Sequence, residues 1–334
     1  MENNVKTVEA EGTVKKSFWQ RFFIDTVCRK FDSWKAWIYL APAIALLLVF
    51  TLWPIINTLR MAFWEDYSIM KELGGILDFK LGFKNFIKVI KYQGFIDCLK
   101  NTMLLTVLTV PLSTILALVI AVCLNAIKPL QRLYQTIFFL PYVTNSIAIG
   151  MVFEAMFNIV GFGTTSPSYG IINNVLGVFG IDPINWINAG SGYWANIAVL
   201  VIYIVWNALP FKILILLGGL QSVNKQYYDA AKVDSTPRLR VFTRITVPLL
   251  SPMIAYVVIT GFIGGFKEYS SIVGIFGEDM QAVGGSSLNT MVGYIYDALG
   301  NQEGRASAAA LILFAIIFVV TMINMYVSKK KTHY

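Results

Sequence analysis

Six apolar segments, each about 20 residues or longer, constrain this chain more than any other feature of its sequence. A helix of about 20 residues crosses a hydrocarbon core of about 30 Å, so each segment predicts a membrane-spanning helix. The chain is 56% hydrophobic and 14% charged, whereas roughly a quarter of the residues of soluble domains are charged. We therefore predict an all-α polytopic membrane protein with six transmembrane helices. The segments lie at about 37–63, 102–125, 134–157, 195–220, 247–268 and 306–327.

Three of these segments contain an interior proline: Pro111, Pro141 and Pro210. Proline lacks the N–H that a helix needs, so each residue predicts a kink with a freed carbonyl. Inside a membrane, such a carbonyl must be satisfied by a neighbouring helix or by a wet cavity. This pattern favours a transporter over a simple membrane anchor.

The distribution of Lys and Arg predicts the orientation. Basic residues are concentrated in the N-terminal segment, in loops 126–133 and 221–246 and in the tail, and are missing from 158–194 and 269–304. The positive-inside rule then places both termini and the two basic loops in the cytoplasm. Loop 64–101 departs from the rule. Successive loops between the six spans alternate between the two sides of the membrane, which places this loop outside, yet it carries six lysines. The net charge of +8 is explained by cytoplasmic loops, without nucleic-acid binding.

The polar ends of the chain complete the expected domain organisation. Residues 1–36 form a cytoplasmic segment in which aromatic and basic residues interleave, and this predicts an interfacial helix. A disordered basic tail is the alternative interpretation of that segment. Residues 37–327 form the transmembrane domain, and 328–334 form a basic cytoplasmic tail.

Several chemical functions are excluded by residues that the chain lacks. The only histidine is His333, so a histidine-based metal site or catalytic triad within this chain is excluded. The three cysteines have no CxxC spacing. No GxxxxGK[ST] loop is present, so we expect no bound nucleotide and no cofactor on this chain.

A polar island, Tyr227–Pro252, interrupts the apolar pattern between the fourth and fifth segments. Asn224 is placed to cap a helix over about 225–234, and Ser235 or Thr236 to cap a second helix with Pro237 in its first turn. The sequence thus predicts a helix–turn–helix elbow on the cytoplasmic surface.

The second helix of this elbow has a short apolar ridge. Leu239, Phe242 and Ile245 recur every three residues and predict one apolar face. Two interpretations remain open: an amphipathic loop that rests on anionic lipid, and a docking element for a soluble partner.

The island resembles the EAA motif of ABC importer permeases, a pattern of the type EAA-x3-G-x9-I-x-L-P. It departs from that pattern at Asp229, which replaces Glu, and at Ser235, which replaces Gly. We therefore expect the turn to form without a residue free to adopt positive φ. The resemblance implies that the island couples the chain to an ATPase. Pro252 also matches the motif. The implied coupling residues are Asp229, Ala230, Ala231, Asp234, Ser235, Phe242, Ile245 and Pro248.

Three further stretches are similar to carbohydrate-uptake permeases of the maltose/glycerol-phosphate type: APAIALLLVFTLWPIINTLRMAF, LGFKNFIKVIKYQGFIDCLKNT and IYDALGNQEGRASAAA. The Gly-Gly-Pro that this family carries after the fifth span is absent, and Gly284-Gly285-Ser286 lies nearby. The resemblance implies the type I importer fold and pairing with a second homologous permease. It also implies two cytoplasmic ATPase subunits, which hold ATP and Mg, and an extracytoplasmic sugar-binding protein.

A saccharide site needs aromatic surfaces for stacking and side chains that hydrogen-bond hydroxyl groups. The fourth and fifth segments offer both, with Tyr203 and Trp206 among the aromatic residues. The resemblance places the family's sugar-contacting positions on the same two segments. Those positions are Asn207, Ala208, Phe211, Gly261, Gly264, Gly265 and Glu268.

Each of these candidates also has a structural interpretation. Glu268 is expected either to line the pathway or to pair with Lys267 at the end of the span. Gly261 and Gly265 have the spacing of close helix packing, and the two aromatic residues have a place in a bundle core. Glu154 and Lys212 are further ionisable candidates.

The sequence therefore predicts a permease subunit of an ATP-driven, binding-protein-dependent sugar importer, with an oligosaccharide as cargo and no catalysis on this chain. Glycerol phosphate or another small solute is the alternative cargo, although a phosphate would require Arg or Lys in the cavity. An ion-coupled secondary transporter is the second alternative. A membrane-bound enzyme is disfavoured by the shortage of acid, base and metal-binding groups in the spans.

Overall fold

The computed structural model describes residues 29–75, 79–127, 131–280 and 287–331. Within these ranges the regular secondary structure is helical apart from one antiparallel pair of two-residue strands, β1 Ile159–Val160 and β2 Ser168–Tyr169. Most of the predicted interfacial segment, residues 1–28, lies outside the described residues, as do Gly284-Gly285-Ser286 and His333.

Sixteen α-helices occur in the described ranges, and two π-helical turns, Leu48–Leu52 and Phe242–Thr246, continue helices that precede them. In chain order the α-helices are α1 Arg29–Leu47, α2 Trp53–Phe63, α3 Ile69–Leu73, α4 Lys84–Lys91, α5 Gln93–Ala126, α6 Gln131–Val143, α7 Ser146–Phe157, α8 Ile171–Val178, α9 Tyr193–Ser222, α10 Lys225–Val233, α11 Arg238–Val241, α12 Val247–Leu249, α13 Ser251–Phe266, α14 Ser270–Phe276, α15 Met291–Ala298 and α16 Glu303–Lys331.

Among the described residues, four helices are long and apolar enough to cross a membrane: Trp37–Phe63, Gln93–Ala126, Tyr193–Ser222 and Glu303–Lys330. Two further spans arise when each of two bent helix pairs is counted as one. The chain is thus an all-α polytopic membrane protein, with four to six spans in the part that the structure describes. The pairs are Leu133–Val143 with Ser146–Phe157, bent by 98°, and Arg238–Leu249 with Ser251–Phe266, bent by 68°.

The third predicted span is broken rather than kinked at its proline. Pro141 lies inside α6, and the break follows it at Asn145. The Asn145 carboxamide oxygen accepts hydrogen bonds from the backbone N–H groups of Ile147, at 2.9 Å, and Ala148, at 3.3 Å. A residue that caps a helix in this way starts a new helix, which explains the sharp turn at this position.

The helix boundaries differ from those of the expected domains. The chain divides into two compact units, residues 1–60 and 61–334. In the first unit α1 continues through residue 36 without a break, so no boundary separates the predicted interfacial segment from the first span. In the second unit α16 extends past residue 327 to Lys331 and makes the start of the basic tail helical.

The second unit is built around α5, α9 and α13. In this unit α5 and α9 run alongside each other, and α13 packs on both. Five buried hydroxyl residues follow one side of α5, and each donates to the carbonyl four residues earlier. They are Thr102, Thr106, Thr109, Ser113 and Thr114.

The lysine-rich segment that departs from the positive-inside rule neutralises part of its charge locally. Lys84 lies 2.5 Å from the Asp66 carboxylate, Lys88 pairs with the same carboxylate, and Lys100 lies 3.2 Å from Asp97. Hydrogen bonds from Lys84 and then from Lys88 lower the pKa of Asp66 to about 2. Two carboxylates therefore offset two of these three lysine charges.

Asp66→Asn is expected to lower the thermal midpoint of the protein in a pH-dependent way. The folded-state pKa of Asp66 lies below its ordinary value of 3.8, so its stabilisation is present above pH 4 and is lost as the pH falls towards about 2. Asparagine accepts the positive φ of 52° at this position, so the substitution removes charge without backbone strain. The difference in midpoint between the two proteins, followed by tryptophan fluorescence, should shrink between pH 5 and pH 2. A constant difference would contradict the assignment.

Candidate functional site

A cavity of about 290 Å³ lies between α5, α9 and α13, with one side chain added from α6. Its volume is near the lower end of the range of about 300–1,000 Å³ that is usual for small-molecule sites. The lining residues are Thr109, Val110, Ser113, Tyr142, Ile204, Asn207, Ala208, Phe211, Lys212, Thr260, Gly261, Gly264, Gly265 and Glu268.

Seven of the nine candidate pathway residues line this one cavity: Asn207, Ala208, Phe211, Gly261, Gly264, Gly265 and Glu268. Tyr203 and Trp206 do not. Tyr203 is fully buried, and its hydroxyl donates to the Ser146 carbonyl at 2.5 Å. Its ring packs on Phe153 at 4.8 Å, and the Trp206 ring packs on Phe153 at 5.3 Å. These two aromatic residues belong to the bundle core.

The contribution of α5 and α6 to the cavity was not predicted from the sequence. Thr109 and Ser113 come from the hydroxyl-bearing side of α5, and Tyr142 comes from the end of α6. The hydroxyl residues at spacings of three and four along the second apolar segment were a usable signal, because they mark one polar side of a membrane helix. The Tyr142 ring stacks on Phe211 with centroids 5.9 Å apart and an interplanar angle of 20°.

The three cavity glycines differ in what surrounds them. A Cβ at Gly265 would lie 2.8 Å from the Thr106 methyl group, and one at Gly261 would lie 3.1 Å from Val110 and 3.2 Å from the Lys212 nitrogen. These two residues therefore let α13 approach α5 closely. A Cβ at Gly264 would meet nothing within 4 Å, so its missing side chain is open cavity space.

Lys212 is a buried cation in the cavity wall. Its ammonium group donates to the Ser113 hydroxyl at 2.7 Å, the Thr114 hydroxyl at 3.0 Å and the Val110 carbonyl at 3.2 Å. No carboxylate of the described residues forms an ion pair with it. All three N–H groups are thus used to join α9 to α5, and neutral oxygens alone replace the water around the charge.

Glu268 lies just beyond the end of α13. Its carboxylate accepts from the backbone N–H of Ser271 at 3.2 Å, and its backbone carbonyl accepts from the Thr290 hydroxyl at 2.9 Å. Within the described ranges it forms no ion pair with Lys267, so the alternative role in a salt bridge is not observed. Glu154 lies outside the cavity lining and accepts from the Asn158 amide at 2.9 Å.

The first helix of the elbow has the predicted start. Asn224 caps α10 by accepting from the backbone N–H of Gln226 at 2.9 Å. The helix ends in a Schellman arrangement: the Thr236 N–H donates to the Ala231 carbonyl at 2.9 Å, and the Ser235 N–H donates to the Lys232 carbonyl at 3.0 Å. This motif requires a left-handed residue, and Ser235 supplies it with φ 51°. The expectation of a turn without positive φ was wrong, because the motif's hydrogen bonds hold serine in that conformation.

The second helix of the elbow differs from its prediction. Neither Ser235 nor Thr236 caps it, because Pro237 occupies the cap position and no side-chain cap bond forms there. The predicted single apolar face is also divided: Leu239 is 76% exposed, whereas Phe242 and Ile245 are half-buried. The wider π-helical turn that begins at Phe242 rotates the later positions away from the three-residue spacing.

The remaining elbow candidates are divided between the interior and the surface. Ala231 is buried, and Pro248 is half-buried in α12. Asp229, Ala230 and Asp234 are exposed, and the Asp229 carboxylate lies 3.1 Å from the Lys232 ammonium.

The elbow is joined directly to the cavity wall. The Tyr228 and Thr246 hydroxyls lie 3.3 Å apart and connect the two elbow helices. Leu250, at the bend between α12 and α13, is buried in the same apolar cluster as Ile213 of α9. A Cβ at Gly219 of α9 would lie 3.0 Å from the Leu250 side chain, so α9 approaches the bend closely. A displacement of the elbow would therefore act on both helices that carry the candidate pathway residues.

Ser235→Gly is expected to stabilise the elbow by about 1 kcal/mol, because a left-handed residue with a Cβ carries a strain of roughly that size. Ser235→Ala is the matched control: it removes the hydroxyl, retains the Cβ and should show no gain. Thermal unfolding of the purified protein measures both changes. Equal midpoints for the glycine and alanine variants would contradict the strain at this turn.

Comparison with known proteins gives consistent results over nearly the whole chain. The lactose transport permease LacF of Rhizobium radiobacter is 28% identical over 89% of this chain and 93% of its own length. The arabinooligosaccharide transport permease AraP of Bacillus subtilis is 28% identical over 95% and 94%, respectively. The trehalose/maltose transport permease MalF of Thermococcus litoralis is 26% identical over 88% and 93%.

The fold has a counterpart among solved structures. A chain of a bacterial ABC transporter that imports the acidic polysaccharide alginate superposes with a TM-score of 0.71 at 21% identity, over 94% of this chain and 99% of that one. The family model described as "binding-protein-dependent transport system inner membrane component" matches residues 109–333, which include the elbow and all of the cavity-lining residues. The chain therefore belongs to the family of inner-membrane components of binding-protein-dependent transport systems.

Proposed function

We propose that this chain is the membrane-spanning permease subunit of an ATP-driven importer whose cargo is a saccharide. The observation that carries the proposal is the direct connection of the elbow to the helices that line the cavity. The relatives named for lactose, arabinooligosaccharide and trehalose/maltose transport support a sugar as the cargo.

The chemistry of the cavity suits a neutral sugar. The stacked Tyr142 and Phe211 rings offer an apolar surface for the face of a pyranose, and the Asn207 amide and Thr260 hydroxyl offer hydrogen bonds to its hydroxyl groups. A phosphate would require a free basic group, but all three Lys212 N–H groups are already donated to α5. We therefore favour a neutral saccharide over glycerol phosphate.

The proposed cycle requires partners. A second homologous permease completes the pathway, two cytoplasmic ATPase subunits hold ATP and Mg, and an extracytoplasmic binding protein delivers the sugar. ATP-driven closure of the ATPases moves the elbow, and the bend at Leu250 passes this motion to α13 and α9. This chain performs no hydrolysis itself. Its termini and elbow lie in the cytoplasm, and its apolar helices contact membrane lipid and the partner permease.

The elbow provides the decisive experiment. Leu239→Asp places a charge on the exposed apolar position, and Asp234→Lys reverses an exposed charge beside the turn. Each is expected to weaken co-purification of the ATPase subunits by about tenfold, as loss of an interface anchor does. Leu299→Asp, at an exposed leucine after α15, is the matched control and should leave the complex unchanged.

The measurements are ATPase co-purification and sugar-stimulated ATP hydrolysis in the reconstituted complex. Lactose, maltose, trehalose and an arabino-oligosaccharide serve as probes. Unchanged association and hydrolysis in both elbow variants would overturn the docking role.

A secondary transporter that works without ATPases is the second candidate, and one observation favours it. Lys212 and Glu268 place two ionisable groups in one membrane cavity, as ion-coupled carriers do. Sugar uptake by the purified chain alone, driven by a proton or sodium gradient, would support this candidate. The absence of such uptake, together with uptake by the complete complex, would support the ATP-driven importer.

A further inference from the structure

The end of the cavity next to Glu268 has a rim that is fixed by hydrogen bonds. The Thr290 hydroxyl donates to the Glu268 carbonyl at 2.9 Å. The Met291 N–H donates to the Thr102 hydroxyl at 3.0 Å, and the Asn101 amide donates to the Asn289 carbonyl at 3.0 Å. The segment that leads into α15 is thereby tied both to the end of α13 and to α5. Side chains of α15 consequently have a defined position relative to the cavity.

Two stacked tyrosines lie on this rim. Tyr269 directly follows the cavity residue Glu268, and its ring stacks on that of Tyr296 in α15 with centroids 4.7 Å apart and an interplanar angle of 26°. Tyr269 is half-buried, whereas Tyr296 is 56% exposed. The Tyr269 ring thus holds the Tyr296 ring in one orientation, while a large part of the Tyr296 surface remains accessible.

Polar groups accompany the exposed ring. Asp297 follows Tyr296 and is itself exposed, and one of its oxygens accepts from the Asn289 amide at 2.6 Å. Burial raises the pKa of Tyr269, and the nearby carboxylates of Glu278 and Asp297 raise it further. The rim therefore combines a fixed aromatic surface with the Asp297 carboxylate, which accepts a hydrogen bond.

We propose that the Tyr269–Tyr296 stack, with Asp297 beside it, is a saccharide-binding platform at the mouth of the cavity, which holds the sugar before it enters between α5, α9 and α13. The C–H groups of a pyranose pack on the exposed Tyr296 face, and sugar hydroxyls donate to the Asp297 carboxylate. This platform rests on the proposed function, since it requires a sugar cargo and an extracytoplasmic α15.

The geometry favours a sugar over a protein segment as the occupant. The Tyr296 ring, which stacks on Tyr269 and lies beside the Asp297 carboxylate, suits a compact, hydroxyl-rich ring. Protein partners usually bury a larger apolar area around such an anchor residue. Contact between Tyr296 and the binding protein is the alternative that the experiment must distinguish from sugar binding.

The test uses the complete transporter in nanodiscs and saturation-transfer NMR with maltose, lactose and an arabino-oligosaccharide as probes. Tyr296→Ala is expected to raise the Kd of the bound sugar about tenfold, as loss of one aromatic contact does. Tyr296→Phe retains the ring, removes only the hydroxyl and should bind like the wild type. Phe211→Ala, in the cavity, provides the comparison for the inner site.

Each outcome decides a different point. A Kd that is unchanged in Tyr296→Ala but raised in Phe211→Ala would overturn the platform and leave the cavity as the sugar site. A loss of ATPase stimulation by the sugar-free binding protein, without a change in sugar Kd, would assign Tyr296 to protein docking and also overturn the platform. If the wild-type complex binds none of the sugars, the proposed saccharide cargo is wrong, and the platform fails with it.

Discussion

Gly264→Val is expected to abolish sugar uptake while the transporter still assembles. Gly264 lines the cavity, and a Cβ at this position would meet nothing within 4 Å. The three added carbons would therefore extend into space left for cargo, and the first of them would not press on a neighbouring helix. The measurement is uptake of radiolabelled maltose, lactose or an arabino-oligosaccharide into proteoliposomes, with the yield of assembled complex followed by size-exclusion chromatography.

Two glycines provide the controls for this result. Gly218→Val, in α9, also has nothing within 4 Å of its Cβ but lies outside the cavity lining, so uptake should be retained. Gly265→Val would force α13 away from Thr106, and overpacking of this kind costs about 1–3 kcal/mol, so assembly itself should fall. Normal uptake by an assembled Gly264→Val complex would show that cargo does not pass through this cavity.

Ser113→Ala is expected to destabilise the protein more than Lys212→Met does, although it removes only one oxygen atom. A hydrogen bond to a charged group contributes roughly 1.5–3 kcal/mol, and its loss would leave the buried Lys212 ammonium with two oxygen partners. Methionine in place of Lys212 removes the charge itself and keeps most of the side-chain volume. Replacing a buried charge by an apolar residue of similar size is often close to neutral.

A double-mutant cycle tests this explanation. In the Lys212→Met background, Ser113→Ala should cost clearly less than in the wild type, because the hydroxyl no longer solvates a cation. Thr109→Ala is the matched control: its hydroxyl lies on the same side of α5 but makes no bond to Lys212. The measurement is the thermal midpoint of four purified proteins: the wild type, Ser113→Ala, Lys212→Met and the double variant. An equal cost of Ser113→Ala in both backgrounds would refute the role of Lys212 as the source of the effect.

Much of the fold was accessible from the sequence because the membrane imposes a simple rule on helix length. The long apolar helices and the cap at Asn224 follow directly from residue type and spacing. The break at Asn145 did not, since the proline four residues earlier was the stronger local signal and the side-chain cap becomes apparent only in the folded chain. The π-helical turn at Phe242–Thr246 was likewise not predicted, and it rotates Ile245 away from the three-residue spacing of the apolar ridge.

The cavity residues were likewise only partly predictable from the sequence. The residues of the fourth and fifth segments were identified through the family resemblance, but nothing local to Tyr203 separated a core aromatic residue from a cavity residue. Likewise, Gly261, Gly264 and Gly265 are identical in sequence terms, and only the position of α5 decides which two are packing contacts.

By itself, the sequence determined that the chain is a helical membrane protein, where its long apolar helices lie and which segment forms the elbow. These properties depend on composition and on spacing within a single helix. The tertiary structure alone decided that α5 contributes to the cavity wall, that Lys212 is bound by three oxygens of that helix and that Tyr296 lies on the rim. The contacts between α5 and Lys212 join residues about 100 positions apart in the sequence. The Tyr269–Tyr296 contact joins residues 27 positions apart. No local sequence pattern encodes contacts at these separations.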